Sequence, residues 1–232
     1  MAAKDGLKRE AAEAAVNYVQ SGNVVGLGSG STARYAILSI GELLRAGQLR
    51  GVTGVPTSES TAELARDVGI PLVSLEDVAR IDITIDGADE VDPQLNLIKG
   101  LGGALLREKV VARSSRCELI VVDDSKLVPC LGSRVPLPVE VVPFGWKRCA
   151  ESLVSLGCEP CLRVTDGVRF VTDEGNYILD CRFGCMDDPA MLEREVNNIP
   201  GVMENGLFLG LADLVVVVSV DSLRTLEREP SK

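Results

Sequence analysis

Short apolar runs alternate with amphipathic segments along the first half of the chain. Apolar runs of strand length occupy residues 24–27, 52–55, 71–73, 81–85 and 118–122. Segments with apolar residues at helical spacing occupy residues 8–20, 33–44, 56–65 and 103–113. Because strands that alternate with helices form βαβ units, this order predicts a parallel sheet with helices on both faces.

A different pattern begins near residue 135. Strand-like runs at 160–164 and 168–172 are joined by Thr165-Asp166-Gly167, which is typical of a hairpin turn. A third run follows at 177–180. Strands joined by such tight turns predict antiparallel pairing in this part of the chain.

The two patterns together predict an α/β fold with two domains. A helix is expected at 189–196, and the apolar run 212–220 is expected to return to the main sheet. The main domain is predicted to be a Rossmann-like parallel-sheet domain formed by residues 1–132 plus 206–232. A smaller antiparallel α+β domain, residues 133–205, is inserted before the C-terminal strand.

The chain carries a formal net charge of −10. This charge repels nucleic acids and anionic membranes, so neither is expected as a partner. A small anion can still bind where backbone N–H groups at helix starts and a few lysines hold it. No apolar stretch approaches the roughly 18 residues of a membrane span, and no apolar leader is visible, so we expect a cytoplasmic protein.

Histidine is absent, and cysteine occurs seven times. Because the chain has no histidine, any acid–base chemistry must use carboxylates, lysine, tyrosine or cysteine. We expect the cysteines to be reduced thiols. Cys158-x-x-Cys161 and Cys181-x-x-x-Cys185 imitate the spacing of a zinc ribbon, but small apolar residues that fill a core give the same pattern. We expect the core role, with no metal.

Two polar loops follow predicted strands. Gly28-Ser29-Gly30-Ser31-Thr32 either cradles a phosphate with its backbone N–H groups or forms a tight turn with a Ser/Thr helix cap. Pro56-Thr57-Ser58-Glu59-Ser60-Thr61 repeats the pattern, and helix capping is the favoured interpretation there. Both loops should open at the carboxyl edge of the sheet, where ligands bind in open α/β folds.

The segment Asp86-Gly87-Ala88-Asp89-Glu90-Val91-Asp92 places four carboxylates within seven positions at another strand end. Such crowding favours acid–base chemistry or a divalent cation, whereas a solvated acidic turn is the structural alternative. Lys99-Gly100-Leu101-Gly102-Gly103 then offers an anion or oxyanion site before a helix. Glu108 lies within that helix, and Lys126 follows a further strand end.

These motifs belong to a longer series that runs in order along the chain. The series is Gly26-Leu27-Gly28-Ser29-Gly30-Ser31-Thr32, Val55-Pro56-Thr57-Ser58, Asp86-Gly87-Ala88-Asp89-Glu90-Val91-Asp92, Asn96-Leu97-Ile98-Lys99-Gly100, Leu105-Leu106-Arg107-Glu108-Lys109, Pro138-Val139-Glu140-Val141-Val142-Pro143-Phe144 and Gly201-Val202-Met203-Glu204-Asn205-Gly206-Leu207-Phe208. It resembles the type A ribose-5-phosphate isomerase family over almost the entire chain.

The resemblance implies an aldose–ketose isomerase that needs no cofactor. It implies Glu108 as the proton-shuttling base, Asp86 in ring opening, and Asp89 with Lys99 at the hydroxyls and the enediolate. The residues implied to bind the sugar phosphate are Lys8, Ser29, Gly30, Ser31, Thr32, Asp86, Gly87, Ala88, Asp89, Lys99, Gly100, Leu101, Gly102 and Lys126. The family also implies a homodimer or homotetramer.

The chain departs from the family pattern at a few positions. Ser29 stands where threonine is usual, which keeps the hydroxyl, and Leu101 replaces a glycine of the usual four-glycine run. The role of the Leu101 N–H is therefore open. The alternative functions are those of a sugar-phosphate deaminase, a CoA transferase and a sugar-phosphate-sensing regulator. The regulator is expected to carry a helix-turn-helix or a basic face, and the sequence shows neither.

Overall fold

The computed structural model of the chain describes residues 2–228. The helices are α1 (Ala2–Val16), α2 (Ala33–Arg45), α3 (Glu59–Asp67), α4 (Leu105–Arg113), α5 (Trp146–Ser155) and α6 (Pro189–Asn197). The strands are β1 (Val24–Leu27), β2 (Thr53–Pro56), β3 (Ile83–Asp86), β4 (Glu90–Val91), β5 (Leu97–Ile98), β6 (Glu118–Asp123), β7 (Leu137–Val141), β8 (Glu159–Leu162), β9 (Val164–Thr165), β10 (Val168–Arg169), β11 (Tyr177–Arg182), β12 (Val202–Asn205), β13 (Leu207–Phe208), β14 (Leu214–Val218) and β15 (Leu223–Glu227).

Among the described residues, the first compact unit comprises residues 2–88, 107–126 and 210–228. Its sheet has the strand order β15-β14-β6-β3-β1-β2, and every neighbouring pair is parallel except β14 with β15. The prediction of a parallel main sheet is therefore confirmed, including the return of the last apolar run beside β6.

Burial explains why these segments form the sheet and its helices. All four residues of β3 are buried, as are four of the five residues of β14. In α1, the alanines at positions 11, 12 and 15 are fully buried within the same apolar cluster as residues of β1, β3 and β6. Small side chains on this face let the helix lie close to the sheet.

Two details of the first unit differ from the prediction. Residues 71–73 form no strand, and Leu72 makes only a single parallel bridge to Gly54. The edge strand β15 was not predicted, because four of its five residues are exposed and its sequence lacks an apolar run. An edge strand has one neighbour, so its side chains need not be apolar.

The second compact unit comprises residues 89–106 and 127–209. Its antiparallel sheet has the order β12-β7-β11-β8, a second small sheet has the order β13-β5-β4, and β9 pairs with β10 as the predicted hairpin. The domain prediction placed residues 89–106, as well as 127–132 and 206–209, in the main domain. Residues 89–106 group with this unit because β5 pairs with both β4 and β13.

The cysteines divide into a disulfide and five thiols. Cys130 and Cys185 form a disulfide with a Cα–Cα distance of 5.6 Å, so the prediction of reduced thiols is wrong for this pair. They are 55 positions apart and are brought together where the Met186 N–H donates to the Leu131 carbonyl at 3.0 Å, which residue spacing cannot reveal. Cys158 and Cys181 are buried, as predicted for core residues, whereas Cys161 is exposed, so the core prediction is wrong for that residue.

None of the helices described within residues 2–228 is long and apolar enough to cross a membrane.

Candidate active site

The loop after β1 has the backbone of an anion-binding turn. Gly30 has a φ of 95°, a conformation that favours glycine, and the chain enters α2 directly after Thr32. The Thr32 side chain makes no capping hydrogen bond. The Arg34 and Tyr35 N–H groups donate instead to the Gly30 and Thr32 carbonyls at 3.1 and 3.0 Å. The threonine cap is therefore absent, and the positive φ of Gly30 is the feature that fits the anion-binding interpretation.

Asp86 ties this loop to the end of β3. Its Oδ1 accepts the Ser29 N–H at 3.1 Å and the Gly87 N–H at 2.7 Å, and its side chain is 1% exposed. A Cβ atom at position 28 would collide with the Asp86 carboxylate and its Cα. Gly28 is therefore required by the close approach of the two strand ends.

The hydroxyl of Ser29 lies at the centre of a cluster of hydroxyls from the loop after β2. Its Oγ lies 2.8 Å from Thr57 Oγ1 and donates to Ser58 Oγ at 2.9 Å, with Thr61 Oγ1 at 3.3 Å. Ser58 also caps α3, because its Oγ accepts the Thr61 N–H at 3.1 Å. The second loop thus serves both as the predicted helix cap and as a support for Ser29.

Two of the implied lysines belong to the same unit. Lys8 of α1 donates from Nζ to Ser31 Oγ at 2.8 Å, which places an ammonium group on the first loop. Lys126 ends a short 3-10 turn, Asp124–Lys126, which directly follows β6. Because β1, β3 and β6 are parallel, the loops after them leave the same edge of the sheet.

Glu108 lies on α4 and is 6% exposed. The residue before it, Arg107, donates to Glu59 Oε1 at 2.8 Å. This hydrogen bond, and the charge of the guanidinium, lower the pKa of the Glu59 carboxyl. The pair links the N-terminal part of α4 to the first turn of α3, and so helps to fix the helix that carries Glu108.

The acidic segment after β3 divides into groups with different partners. Glu90 is fully buried, and its carboxylate accepts the N–H groups of Gly132, Arg134 and Val135 at 2.6–2.9 Å. Asp92 accepts the N–H groups of the following turn at 2.8 and 2.9 Å. These two carboxylates stabilise backbone, so neither the acid–base nor the cation interpretation applies to the cluster as a whole.

Asp89, by contrast, faces the glycine loop of the second unit. The Leu101 N–H donates to Asp89 Oδ2 at 3.0 Å, which answers the question that the sequence left about this amide. Lys99 is 2% exposed, and its Nζ lies 5.4 Å from the centre of the Phe208 ring. Gly100 and Gly103 have φ values of 104° and 87°, so the loop needs glycine at these positions.

The predicted site residues thus fall into two sets. The first unit holds Lys8, Ser29, Gly30, Ser31, Thr32, Asp86, Gly87, Ala88, Glu108 and Lys126, and the second holds Asp89, Lys99, Gly100, Leu101 and Gly102. Sequence reasoning missed the supporting hydroxyls of the β2 loop, whose Thr-Ser pattern was interpreted as a cap. It also missed Arg163, which donates to the carbonyls of Gly100 and Leu101, and for which no sequence signal was visible.

The described part of the chain holds no group of three or more histidine, cysteine, aspartate or glutamate side chains arranged to bind a metal ion. The donors that the structure does bring together are hydroxyls, backbone N–H groups and ammonium groups. Such donors suit a phosphate or a sugar hydroxyl.

Comparison with known proteins agrees with this arrangement. A sequence profile of the family described as Ribose 5-phosphate isomerase A (phosphoriboisomerase A) matches residues 53–222. The Ribose-5-phosphate isomerase A of Thermomicrobium roseum is 55% identical over 223 residues, which cover 95% of this chain and 93% of the relative.

Solved structures show the same fold over nearly the whole length. Ribose 5-phosphate isomerase from Plasmodium falciparum has a TM-score of 0.95 and 40% identity, covering 97% of this chain and 100% of that one. A D-ribose-5-phosphate isomerase in complex with phospho-erythronic acid has a TM-score of 0.94 and 42% identity, covering 96% and 98%. The chain belongs to the ribose 5-phosphate isomerase A family.

Proposed function

We propose that this chain interconverts D-ribose 5-phosphate and D-ribulose 5-phosphate through a cis-enediol, as a step of the non-oxidative pentose phosphate pathway. Membership of the isomerase family supports this proposal. The structural observation that carries it is the pair of buried carboxylates, Asp86 and Glu108, in a chain without histidine.

Proton transfer is the central step. Glu108 removes the proton from C2 of the open-chain aldose, the electron pair forms the C1–C2 double bond, and the C1 carbonyl oxygen takes up a proton to give the enediol. The same carboxyl then returns its proton to C1, while the C2 hydroxyl loses its proton and becomes the carbonyl of the ketose. The proton gained by the C1 oxygen balances the one lost by the C2 oxygen. A carboxylate can act as this shuttle, because a positioned carboxylate serves as a general base and then as a general acid. No electrons are gained or lost overall, so no cofactor takes part.

Ring opening and phosphate binding precede that step. Asp86, fixed by the N–H groups of Ser29 and Gly87, assists proton movement at the ring oxygen and the C1 hydroxyl. The phosphate is held by the loop of residues 29–32 and the start of α2, with the ammonium group of Lys8 on Ser31. Lys126 is a further substrate contact.

Asp89, Lys99 and the glycine loop complete the proposed set. Lys99 stabilises negative charge on the enediolate oxygen, and Asp89 positions sugar hydroxyls while it accepts the Leu101 N–H. The backbone of Gly100–Gly102 and of Gly87-Ala88 contacts the sugar. These roles rest on the family resemblance and on the burial and hydrogen bonds given above.

The reaction can be tested by following ribulose 5-phosphate formation in a coupled assay, with and without a chelator, and in deuterium oxide. We expect turnover that survives exhaustive chelation, and solvent deuterium in the product, because the enediol route exchanges the transferred proton with water. A metal-assisted hydride shift predicts the reverse on both counts. No formation of ribulose 5-phosphate would refute the proposed function.

We further propose that the protein is a cytoplasmic homodimer or homotetramer. The family resemblance supports the assembly, and a multiply charged sugar phosphate does not cross membranes, so the enzyme must share its compartment. The net charge of −10 supports a small-molecule partner rather than nucleic acid or an anionic membrane. Light scattering of the purified chain measures the assembly, and a monomer would refute it.

A further inference from the structure

The glycine loop of the second unit is held by one arginine that lies outside the predicted site. Arg163 donates from Nη1 to the Gly100 carbonyl at 2.8 Å and to the Leu101 carbonyl at 3.0 Å. We propose that Arg163 is a positioning residue of the isomerase, which fixes the peptide planes of the glycine loop and thereby the carboxylate of Asp89. The proposal rests on the proposed function, since it concerns the same reaction.

The guanidinium is itself fixed in place. Its Nε donates to Asp180 Oδ2 at 2.9 Å and its Nη2 donates to Asp180 Oδ1, so that Asp180 occupies one edge of the planar group. The Arg163 side chain is only 11% exposed. Because the guanidinium is rigid, this bidentate pair determines the direction of Nη1.

The planar peptide bond links each carbonyl that Arg163 holds to the N–H group on the opposite side of the loop. In a trans peptide the C=O and the N–H point in opposite directions. When Arg163 holds the Gly100 carbonyl, the Leu101 N–H faces away from it, and there it donates to Asp89 Oδ2 at 3.0 Å. Holding the Leu101 carbonyl directs the Gly102 N–H in the same way. One guanidinium therefore orients two successive amides.

Arg163 and Phe170 flank the base of the β9–β10 hairpin. The Phe170 N–H donates to the Arg163 carbonyl at 3.0 Å, and the guanidinium lies 5.7 Å from the centre of the Phe170 ring. A Cβ atom at Gly103 would collide with that ring, so Phe170 lies against the loop. The hairpin itself is exposed, with Val164 at 58% and Val168 at 69%, so its base is the part that supports the loop.

Loss of this support should affect catalysis more than substrate binding. The proposed phosphate site is the loop of residues 29–32, and Arg163 is not part of that loop. Asp89 is proposed to orient the sugar hydroxyls at the carbons where charge develops, and the glycine loop contacts the same part of the sugar. Their misplacement should therefore raise the barrier more than the dissociation constant, to which the phosphate loop contributes most.

The test compares Arg163→Ala and Arg163→Lys with Arg169→Ala as a matched control. Arg169 lies on the same hairpin, is exposed, and stacks over Tyr177 at 5.9 Å. We expect Arg163→Ala to lower kcat by about 10- to 100-fold with a KM change below about threefold. Arg163→Lys should also lower kcat, because an ammonium group cannot hold Asp180 by two bonds and reach both carbonyls. Arg169→Ala should match the wild type.

Two further measurements separate positioning from general stability. Added guanidinium ion should restore part of the kcat of Arg163→Ala, whereas methylammonium at the same concentration should not. In hydrogen exchange followed by mass spectrometry, the peptide covering residues 99–105 should exchange faster in both Arg163 variants than in Arg169→Ala. Peptides elsewhere should keep their protection.

A wild-type kcat in Arg163→Lys, or unchanged exchange of residues 99–105 in Arg163→Ala, would overturn the proposal. Loss of activity without guanidinium rescue and with faster exchange throughout the chain would assign Arg163 a purely structural role, and so would also overturn it. Absence of isomerase activity in the wild type and in Arg169→Ala alike would refute the proposed function instead. In that case the exchange comparison still decides whether Arg163 orders the loop.

Discussion

At the scale of single residues, Ser29 connects the first loop to two other strand ends. Its hydroxyl contacts Thr57 and Ser58 after β2, and its N–H donates to Asp86 at the end of β3. Removing one hydroxyl would therefore loosen a group of contacts that keeps the loop of residues 29–32 in place.

We predict that Ser29→Ala raises the KM and the dissociation constant for ribose 5-phosphate by about 2- to 10-fold, the value of one or two hydrogen bonds. Ser29→Thr should stay close to the wild type, because threonine keeps the hydroxyl. Steady-state kinetics and calorimetry measure both constants. Equal losses in the two variants would show that side-chain volume matters and the hydroxyl does not.

At this scale, the sequence could not predict which role each individual carboxylate has. Spacing alone identified the acidic segment after β3 as a candidate site. It could not separate Asp89 from Glu90, because the N–H groups that bind Glu90 come from residues 132–135, which are 42 or more positions away. The same holds for Arg163, whose partners lie 62 and 63 positions earlier.

At the scale of elements, the loop of residues 132–135 is organised around Glu90 at the start of β4. Three backbone N–H groups donate to one buried carboxylate, and the Cys130–Cys185 disulfide lies at the beginning of this loop. The arrangement couples a short strand to a loop that has no regular structure of its own.

We predict that Glu90→Gln lowers the free energy of unfolding by about 1–3 kcal/mol, because the amide NH₂ would face a buried N–H donor. Glu159→Gln, which changes an exposed glutamate of β8, should leave it unchanged. Urea unfolding of the two variants and the wild type provides the comparison. Equal stability of Glu90→Gln and Glu159→Gln would contradict the role given to Glu90.

The elements that could be predicted from the sequence are those in which apolar and polar residues alternate or apolar residues form a continuous run. The hairpin at Thr165-Asp166-Gly167 was found because its turn needs the positive φ values that Asp166 and Gly167 adopt. Strand β7 was not, because Pro138 argues against a strand. Pro138 nonetheless pairs with Asp180 on β11 in the antiparallel register, and its carbonyl accepts the Gly206 N–H.

At the scale of the whole molecule, stability against pH depends on a buried acid in the core of the second unit. Glu140 is 1% exposed, and burial raises the pKa of its carboxyl, an effect that Glu174 and Glu204 increase. Hydrogen bonds from Asn176 and Thr172 act in the opposite direction. The folded protein therefore holds this proton more tightly than the unfolded chain does.

A raised pKa in the folded state means that Glu140 favours folding most below its unfolded value of about 4.3, and that this contribution is lost as the pH rises through the folded pKa. We predict that the free energy of unfolding of the wild type, relative to Glu140→Gln, decreases as the pH rises above about 4.3. Urea unfolding at several pH values tests this. A difference that is constant or grows with pH would contradict it.

The sequence predicted the overall fold better than it predicted the boundaries of the two compact units. Runs such as β3 and β14 are buried along almost their whole length, so they could be predicted from apolar character alone. The grouping of residues 89–106 with the second unit could not, because it depends on the pairing of the two-residue strands β4, β5 and β13. Such strands carry too few residues for a periodic signal.

The most direct test of the proposed mechanism is turnover by Glu108→Gln, set beside its binding of ribose 5-phosphate. Glutamine keeps the shape of the side chain on α4 but cannot take the proton from C2. We expect kcat to fall by about 10³-fold or more, with the dissociation constant of the ligand within about threefold of the wild type. Glu63→Gln, which changes an exposed glutamate of α3, serves as the control and should retain full activity. Undiminished turnover in Glu108→Gln would contradict the assignment of the base, and with it the proposed mechanism.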